Sequence, residues 1–271
     1  MDKIQSYIQV QEVIIAIKSY KKGFITNFYF TEERCGLLID NNLLFYVTME
    51  ECTFILQKDH NFYHVYYIST GKDILAKSLK TLTENYLDDI FVSDIVGMKS
   101  AINDISSIFE QFGFKKYILL YRMSRTKNLH ESQQLDERVE FAKQEHAEQI
   151  KSLLEQYFDP YSEQIPLIDE IQKWIEMRNI LVVAKDENII GFVIYEINGV
   201  TSYWRYWFVH PDHRDKRIGS ALSRRFFHEC KEAKRQQLWV IESNENAIIR
   251  HKYYGFEAEQ LFDQIMIKII K

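Results

Sequence analysis

Apolar residues in the second half of the chain recur in two rhythms, one of three to four residues and one of two, and their succession lays out the elements. Residues 138–142 read as a short strand. Across 144–157 the apolar positions are Ala147, Ile150, Leu153, Leu154 and Tyr157, a helical spacing. Pro166 opens a second helix that places Ile168, Ile171, Trp174 and Ile175 on one face. The β-branched runs 180–184 and 189–197 flank a polar 185–188 and read as a hairpin. Residues 201–209 form an aromatic strand, broken at Pro211. A polar loop over 212–217 leads to a helix at 218–233 and a strand at 238–241. A helix at 246–253 is stopped by Gly255, and two strands at 256–262 and 264–270 finish the chain. The predicted order is β-α-α-β-β-β-α-β-α-β-β.

The first half gives strands at 24–30, 43–47, 53–57 and 63–68, a helix at 74–86 and a strand at 90–92. A helix at 101–112 stopped by Gly113 and a strand at 117–123 follow; residues 1–23 receive no element. Residues 124–134, SRTKNLHESQQ, hold one apolar residue and separate two halves of similar size. The division is a first lobe at 1–125, a linker at 126–136 and a second domain at 137–271. One echo crosses it: Ile108 to Phe114 and Arg250 to Phe256 are both helix, glycine and strand. It is either an ordinary helix–glycine junction or the trace of a degenerate tandem repeat.

Composition narrows the function. A net charge of −5 argues against nucleic acid as a partner. The apolar positions of the N-terminal segment are interrupted by charged and polar residues, so neither a signal peptide nor a membrane span is expected. With three widely spaced cysteines, Cys35, Cys52 and Cys230, the expectation is a cytoplasmic protein with reduced, buried thiols. Only 3 Pro and 9 Gly in 271 residues leave little room for long disordered linkers.

The chemistry gathers at 209–222. A strand, a short loop carrying Arg214, Lys216 and Arg217, and a helix start with Gly219 make an anion site. The unpaired N–H groups of a first helical turn and the helix dipole both favour negative charge there, and Gly219 lets a phosphate approach the backbone. In the first half, Gly71-Lys72 lacks the upstream glycine of a phosphate loop.

Two segments resemble the GNAT superfamily of N-acetyltransferases. The first matches its Arg/Gln-x-x-Gly-x-Gly/Ala signature through Arg214 and Gly219, with Arg217 at the first glycine position. The second matches Asn-x-x-Ala-x-x-x-Tyr-x-x-x-Gly-Phe through Asn244, Ala247, Gly255 and Phe256, with His251 at the tyrosine. The resemblance covers the chain from 137 onward. It implies an α/β (α+β) fold, a mixed, splayed sheet flanked by helices, in tandem with a second, degenerate lobe of the same kind. It also implies acetyl-CoA as co-substrate, without a metal. The residues expected to hold it are Phe208, Val209, Arg214, Asp215, Lys216, Arg217, Ile218, Gly219, Ser220, Asn244 and Ala247.

By the same resemblance His251 takes the place of the general acid that protonates the departing thiolate. An imidazole, with an ordinary pKa of about 6.5, gives up a proton more readily than a phenol near 10. Tyr253 and Tyr254 stand behind it as second choices. Glu196 and Glu242 are the nearest carboxylates for a general base, with no choice between them. On the aromatic strand, either Trp204, Tyr206 and Phe208 form a core face, or Tyr203, Arg205 and Trp207 form a wall for the acceptor. The acceptor implied is a small-molecule or peptide amine, and a homodimer contact stays open. Two other functions remain beside the transferase: a non-catalytic acyl-CoA sensor, and a transferase that uses aminoacyl-tRNA.

Overall fold

The computed structural model describes residues 1–126, 135–214 and 216–269. Asp215, residue 270 of the last expected strand and residues 127–134 of the expected linker lie outside them. The chain divides into two compact units, Met1–Leu120 with Gln260–Lys271, and Tyr121–Glu259.

The first unit contains β1 (Asp2–Lys3), α1 (Tyr7–Ser19), β2 (Ile25–Thr26), α2 (Glu32–Asp40), β3 (Leu44–Met49), β4 (Cys52–Asp59), β5 (Phe62–Ser69), α3 (Lys72–Asn85), β6 (Ile90–Gly97) and α4 (Lys99–Gln111). β7 (Lys115–Arg125) follows. The two helices missed in the sequence have ordinary starts. Ser6 accepts a hydrogen bond from Gln9 N to cap α1, and Thr31 accepts one from Arg34 N to cap α2, whose first turn carries Glu32 and Glu33. The long strand expected at 24–30 shrinks to the two residues of β2.

The second unit contains β8 (Val139–Phe141), a 3-10 turn at Gln144–His146, α5 (Ala147–Tyr157), α6 (Pro160–Glu163), α7 (Ile168–Glu176), β9 (Ile180–Lys185), β10 (Asn188–Asn198) and β11 (Thr201–Val209). A 3-10 turn at Pro211–His213, α8 (Ile218–Glu229), β12 (Arg235–Ile241), α9 (Glu245–Tyr253) and β13 (Glu257–Lys268) complete the chain. The two final strands expected are one continuous strand. Its portion in the first unit pairs with β6 from Phe262↔Gly97 to Lys268↔Phe91, so pairing carries it through the polar Asp263 and Gln264 where the sequence suggested a break.

Each unit has a mixed sheet with the same kernel. In the first the order is β1-β3-β4-β5-β6-β13, in the second β12-β11-β10-β9-β8. Within each, one parallel pair is joined through a helix: β5-α3-β6, registered from Phe62↔Ile90 to His64↔Val92, and β11-α8-β12, registered from Thr201↔Arg235 to Trp204↔Leu238. The helix–glycine echo is structural as well. Gly113 and Gly255 follow α4 and α9 at φ 88° and 82°, and Phe114 N and Phe256 N reach back to Phe109 O and His251 O. That is the six-to-one hydrogen bond of a helix ended by a left-handed glycine. This mixed α/β architecture, a splayed sheet flanked by helices and repeated in tandem, is the expected fold class.

Cys35, Cys52 and Cys230 are buried thiols outside any disulfide, and burial pushes the Cys35 and Cys52 thiols up to about 11. Among the described residues no helix is long and apolar enough to cross a membrane.

Candidate active site

The site begins with a fault in β11. Its register with β10 steps from Ile194↔Tyr206 to Tyr195↔Trp204, which leaves Arg205 without an opposite number. A bulge of this kind bends the strand and flips the side chains beyond it. The parallel pairing with β12 ends at Trp204↔Leu238, the residue before the bulge. Beyond that point β11 and β12 are not paired among the described residues.

The bulge corrects both expected faces of this strand. Trp204 and Trp207 share a face, with ring centroids 5.2 Å apart, and pack with Val209 in the core around α8. Tyr206 and Phe208 face the other way, into the core around α5 and α7. The core face Trp204, Tyr206, Phe208 is therefore not formed, because one extra residue breaks the two-residue period. Nor do Tyr203, Arg205 and Trp207 form one wall. Trp207 is turned toward α8, and Arg205 is exposed and ion-paired with Glu196 at 3.1 Å.

The loop after β11 is tightly tied. His210 Nδ1 accepts from Asp212 N at 3.3 Å, its Nε2 lies 3.1 Å from the Tyr157 hydroxyl, and Lys216 Nζ reaches Asp212 O at 3.4 Å and His213 Nδ1 at 3.3 Å. Desolvation and the Lys216 charge both lower the His213 pKa. Arg214, Lys216 and Arg217 are exposed, and among the described residues no carboxylate pairs with Arg214 or Arg217. The N-cap of α8 is Arg217, whose side chain caps nothing. The first N–H groups of α8, at Ile218, Gly219 and Ser220, are thus left for a ligand.

Arg217 sits at φ 60°, ψ 16°. This is the left-handed region, so an arginine occupies a position with glycine's backbone geometry. Gly219 has a packing role: a Cβ there would meet Trp207 Cζ2 at 3.0 Å and Val209 Cγ2 at 3.5 Å. Its lack of a side chain seats the indole, and a substitution at Gly219 disturbs the core as well as the loop.

Asn244 and Ala247 are joined to each other, since Asn244 Oδ1 caps α9 by accepting from Ala247 N at 3.1 Å. One turn on, His251 is buried, 5.5 Å centroid to centroid from both Trp204 and Trp207. Burial lowers its pKa from 6.5 to about 4. This desolvation disfavours the imidazolium form on which the general-acid role expected for His251 would draw. His251 Nδ1, Trp204 Nε1 and Trp207 Nε1 are all buried without a hydrogen-bond partner among the described residues, in a cluster against the start of α8. Of the second choices, Tyr253 is 82% exposed and points away, while Tyr254 joins the two tryptophans. Glu242 is exposed past the end of β12.

Sequence reasoning passed over Glu163, at the end of α6. The Tyr206 hydroxyl donates to Glu163 O at 2.8 Å and Gln164 O at 3.0 Å, so this turn is pinned to β11 one residue beyond the bulge. Burial, reinforced by Asp159, raises the Glu163 carboxyl to about 7. No sequence signal marked it, because α6 is four residues long and Tyr206 lies far off in sequence.

In the first unit the corresponding gap is filled. Where β5 and β6 part after His64↔Val92, Asn27 Nδ2 donates to Val65 O (3.3 Å), Ser93 Oγ (3.2 Å) and Asp94 O (2.9 Å), and Asn27 Oδ1 accepts from Tyr67 N (2.6 Å). β2 pairs with the far end of β5, Ile25↔Ser69 and Thr26↔Ile68.

Residues 147–256 match the model of the acetyltransferase (GNAT) family. No curated protein matches the chain. Among solved structures, a GCN5-related N-acetyltransferase from Sphaerobacter thermophilus is 12% identical, with 81% of each chain covered and a TM-score of 0.59. A GNAT-family acetyltransferase from Colwellia psychrerythraea is 10% identical over 99% of this chain and 98% of that one, with a TM-score of 0.57. A tandem GNAT protein from the clavulanic acid biosynthesis pathway is 11% identical over 81% and 79%, with a TM-score of 0.55. At these identities the likeness is one of fold.

Proposed function

We propose, from the match of residues 147–256 to the model of the acetyltransferase (GNAT) family, that the chain is an N-acetyltransferase. It moves an acetyl group from acetyl-CoA to a primary amine of a small molecule or peptide by direct attack, in the cytoplasm. The observation that carries this reading is the opening of β11 from β12 beyond Trp204↔Leu238, next to the uncapped, cationic start of α8.

Arg214, Lys216 and the first N–H groups of α8 hold the pyrophosphate. The thioester carbonyl lies along the open edge of β11, where backbone N–H groups near Val209 take up the negative charge that develops as the amine attacks. Positioning does most of the rest, since a held amine and thioester react as one molecule.

The test is calorimetric titration with acetyl-CoA. The expected result is binding that weakens about 10-fold for each of Arg214→Ala and Lys216→Ala, the loss of one charge-assisted contact apiece. No binding by the unaltered chain at high micromolar acetyl-CoA sinks the reading. A second reading, a non-catalytic acyl-CoA sensor, is favoured by the buried, uncharged His251 at the place of the acid. Binding of acetyl-CoA with no thiol release across a broad panel of amines decides for the sensor.

A further inference from the structure

We propose that the first unit holds a binding site for a primary ammonium on an apolar stem, formed by Tyr66, Asp94 and Asp263 on three strands of its sheet. All three residues belong to that unit, and the proposal does not depend on the acyltransferase reading.

Register brings the three groups together. The antiparallel pairing of β13 with β6 sets Ile265 opposite Asp94 and Asp263 opposite Val96. Residues opposite each other share a face, as do residues two apart along a strand, so Asp94 and Asp263 are diagonal neighbours on one face. On the other side of β6 the parallel register His64↔Val92 carries Tyr66 toward Asp94 on that same face. The opposite face carries Val65, Tyr67, Phe91, Ile95 and Met266 into the core with α3 and α4. Burial falls off along the polar face: Val92 is fully buried, Asp94 nearly so, and Val96 is 45% exposed. Asp263 is half-buried. The polar groups thus lie between closed core and solvent.

These groups do not satisfy one another. The Tyr66 hydroxyl and Asp263 Oδ1 are buried without a hydrogen-bond partner among the described residues, although Tyr66 is 3% exposed. Burial, then the Asp94 charge, raises the Tyr66 hydroxyl well above the ordinary phenol value; Asp263 and Asp59 add to this and Arg34 opposes it. Burial and the Asp94 charge likewise raise the Asp263 carboxyl. Three carboxylates against one guanidinium leave the place negative, and a cation relieves it. A primary ammonium has three N–H donors, and Asp94, Asp263 and the Tyr66 oxygen offer three acceptors. The rings of Phe28 and Phe30 meet Tyr66 edge-on at 5.8 and 4.8 Å, an aromatic wall suited to the apolar stem and to the cation itself. Among the described residues no three carboxylate, imidazole or thiol groups stand close enough to enclose a metal ion, so the cation this face suits is an organic one.

The test uses the full chain without acetyl-CoA. It is titrated calorimetrically with 2-phenylethylamine, with 2-phenylethanol as the uncharged counterpart, and with magnesium or zinc chloride alone. The expected result is millimolar or tighter binding of the amine and none of the alcohol. Tyr66→Phe, which removes only the unpartnered hydroxyl, weakens amine binding about 5-fold, and Asp263→Asn weakens it about 10-fold. Asp263→Asn also raises the melting temperature of the unliganded chain, since it removes a carboxyl that burial and Asp94 oppose; a carboxyl kept for the fold would lower it when lost. The proposal is overturned by equal binding of amine and alcohol, by no amine binding at millimolar concentration, or by amine binding unchanged in Asp263→Asn. A lower melting temperature in Asp263→Asn makes the carboxyl a structural partner and overturns it too. Binding of either metal alone, lost in Asp263→Asn and without amine binding, replaces it with a metal site.

Discussion

Two residues of the second unit stand where the family pattern has others, and each carries a measurable consequence. Arg217 adopts φ 60° at the N-cap of α8, a conformation that costs a side-chain-bearing residue about 1 kcal/mol. Arg217→Gly is therefore expected to stabilise the unit by about 1 kcal/mol, seen as a higher denaturation midpoint, while Arg217→Ala, which keeps the strain, gives no gain. Equal midpoints for the two variants would exclude backbone strain as the cause. His251 has a folded-state pKa of about 4, below the 6.5 of the unfolded chain. The unfolded chain therefore binds the extra proton in the window between. The stability that comes from keeping His251 neutral is complete above pH 6.5 and is lost as pH falls toward 4, by about 2 kcal/mol between pH 7 and 5. Urea unfolding at those two pH values is expected to show this loss in the parent chain and not in His251→Phe. An identical pH response in the variant would mean that another group titrates.

Elements were legible where one physical signal governed them. The aromatic run 201–209 became β11 over the same residues, and the helix ending at Gly255 followed from the need for a left-handed residue after its last turn. α1 was not read because its Val10, Val13, Ile14, Ile15 and Ile17 are β-branched and its apolar residues do not keep to one face: Val10 and Ile17 are buried while Ile8 and Ile15 are exposed. The bulge at Arg205 has no local sequence mark, since a bulge is set by the register with a partner strand. That one residue decided which aromatics meet His251 and which meet Glu163. The loop cations and the α9 motif were readable, whereas the pinned turn at Glu163 exists only through a tertiary contact. The α9 motif has a local cause that can be isolated: Asn244 caps the helix. Asn244→Ala is expected to cost about 1 kcal/mol of stability, and Asn244→Asp, which keeps an acceptor at the cap, much less. Equal losses in thermal unfolding would show that the asparagine is held for some other contact.

Two units built on one kernel differ at the place where their parallel strands part. In the second, β11 and β12 part after Trp204↔Leu238 beside a cationic helix start; in the first, β5 and β6 part after His64↔Val92 and Asn27 joins them through four hydrogen bonds. A buried amide that satisfies two carbonyls, a hydroxyl and a backbone N–H is costly to displace, because a ligand entering there would leave those groups unpaired. The helix after β5 also begins without the cluster of cations, its Lys72 being paired with Asp104 at 2.7 Å. The whole chain is thus expected to bind one acetyl-CoA, measurable as the stoichiometry of titration and by native mass spectrometry. Combining Arg214→Ala with Lys216→Ala is expected to abolish that single site at micromolar ligand, with no weaker site remaining. Asn27→Ala is expected to lower stability by about 3 kcal/mol, since it strips hydrogen bonds from buried groups, while leaving the stoichiometry at one. A second equivalent of acetyl-CoA on the unaltered chain would mean that Asn27 is no barrier and that both kernels are cofactor sites.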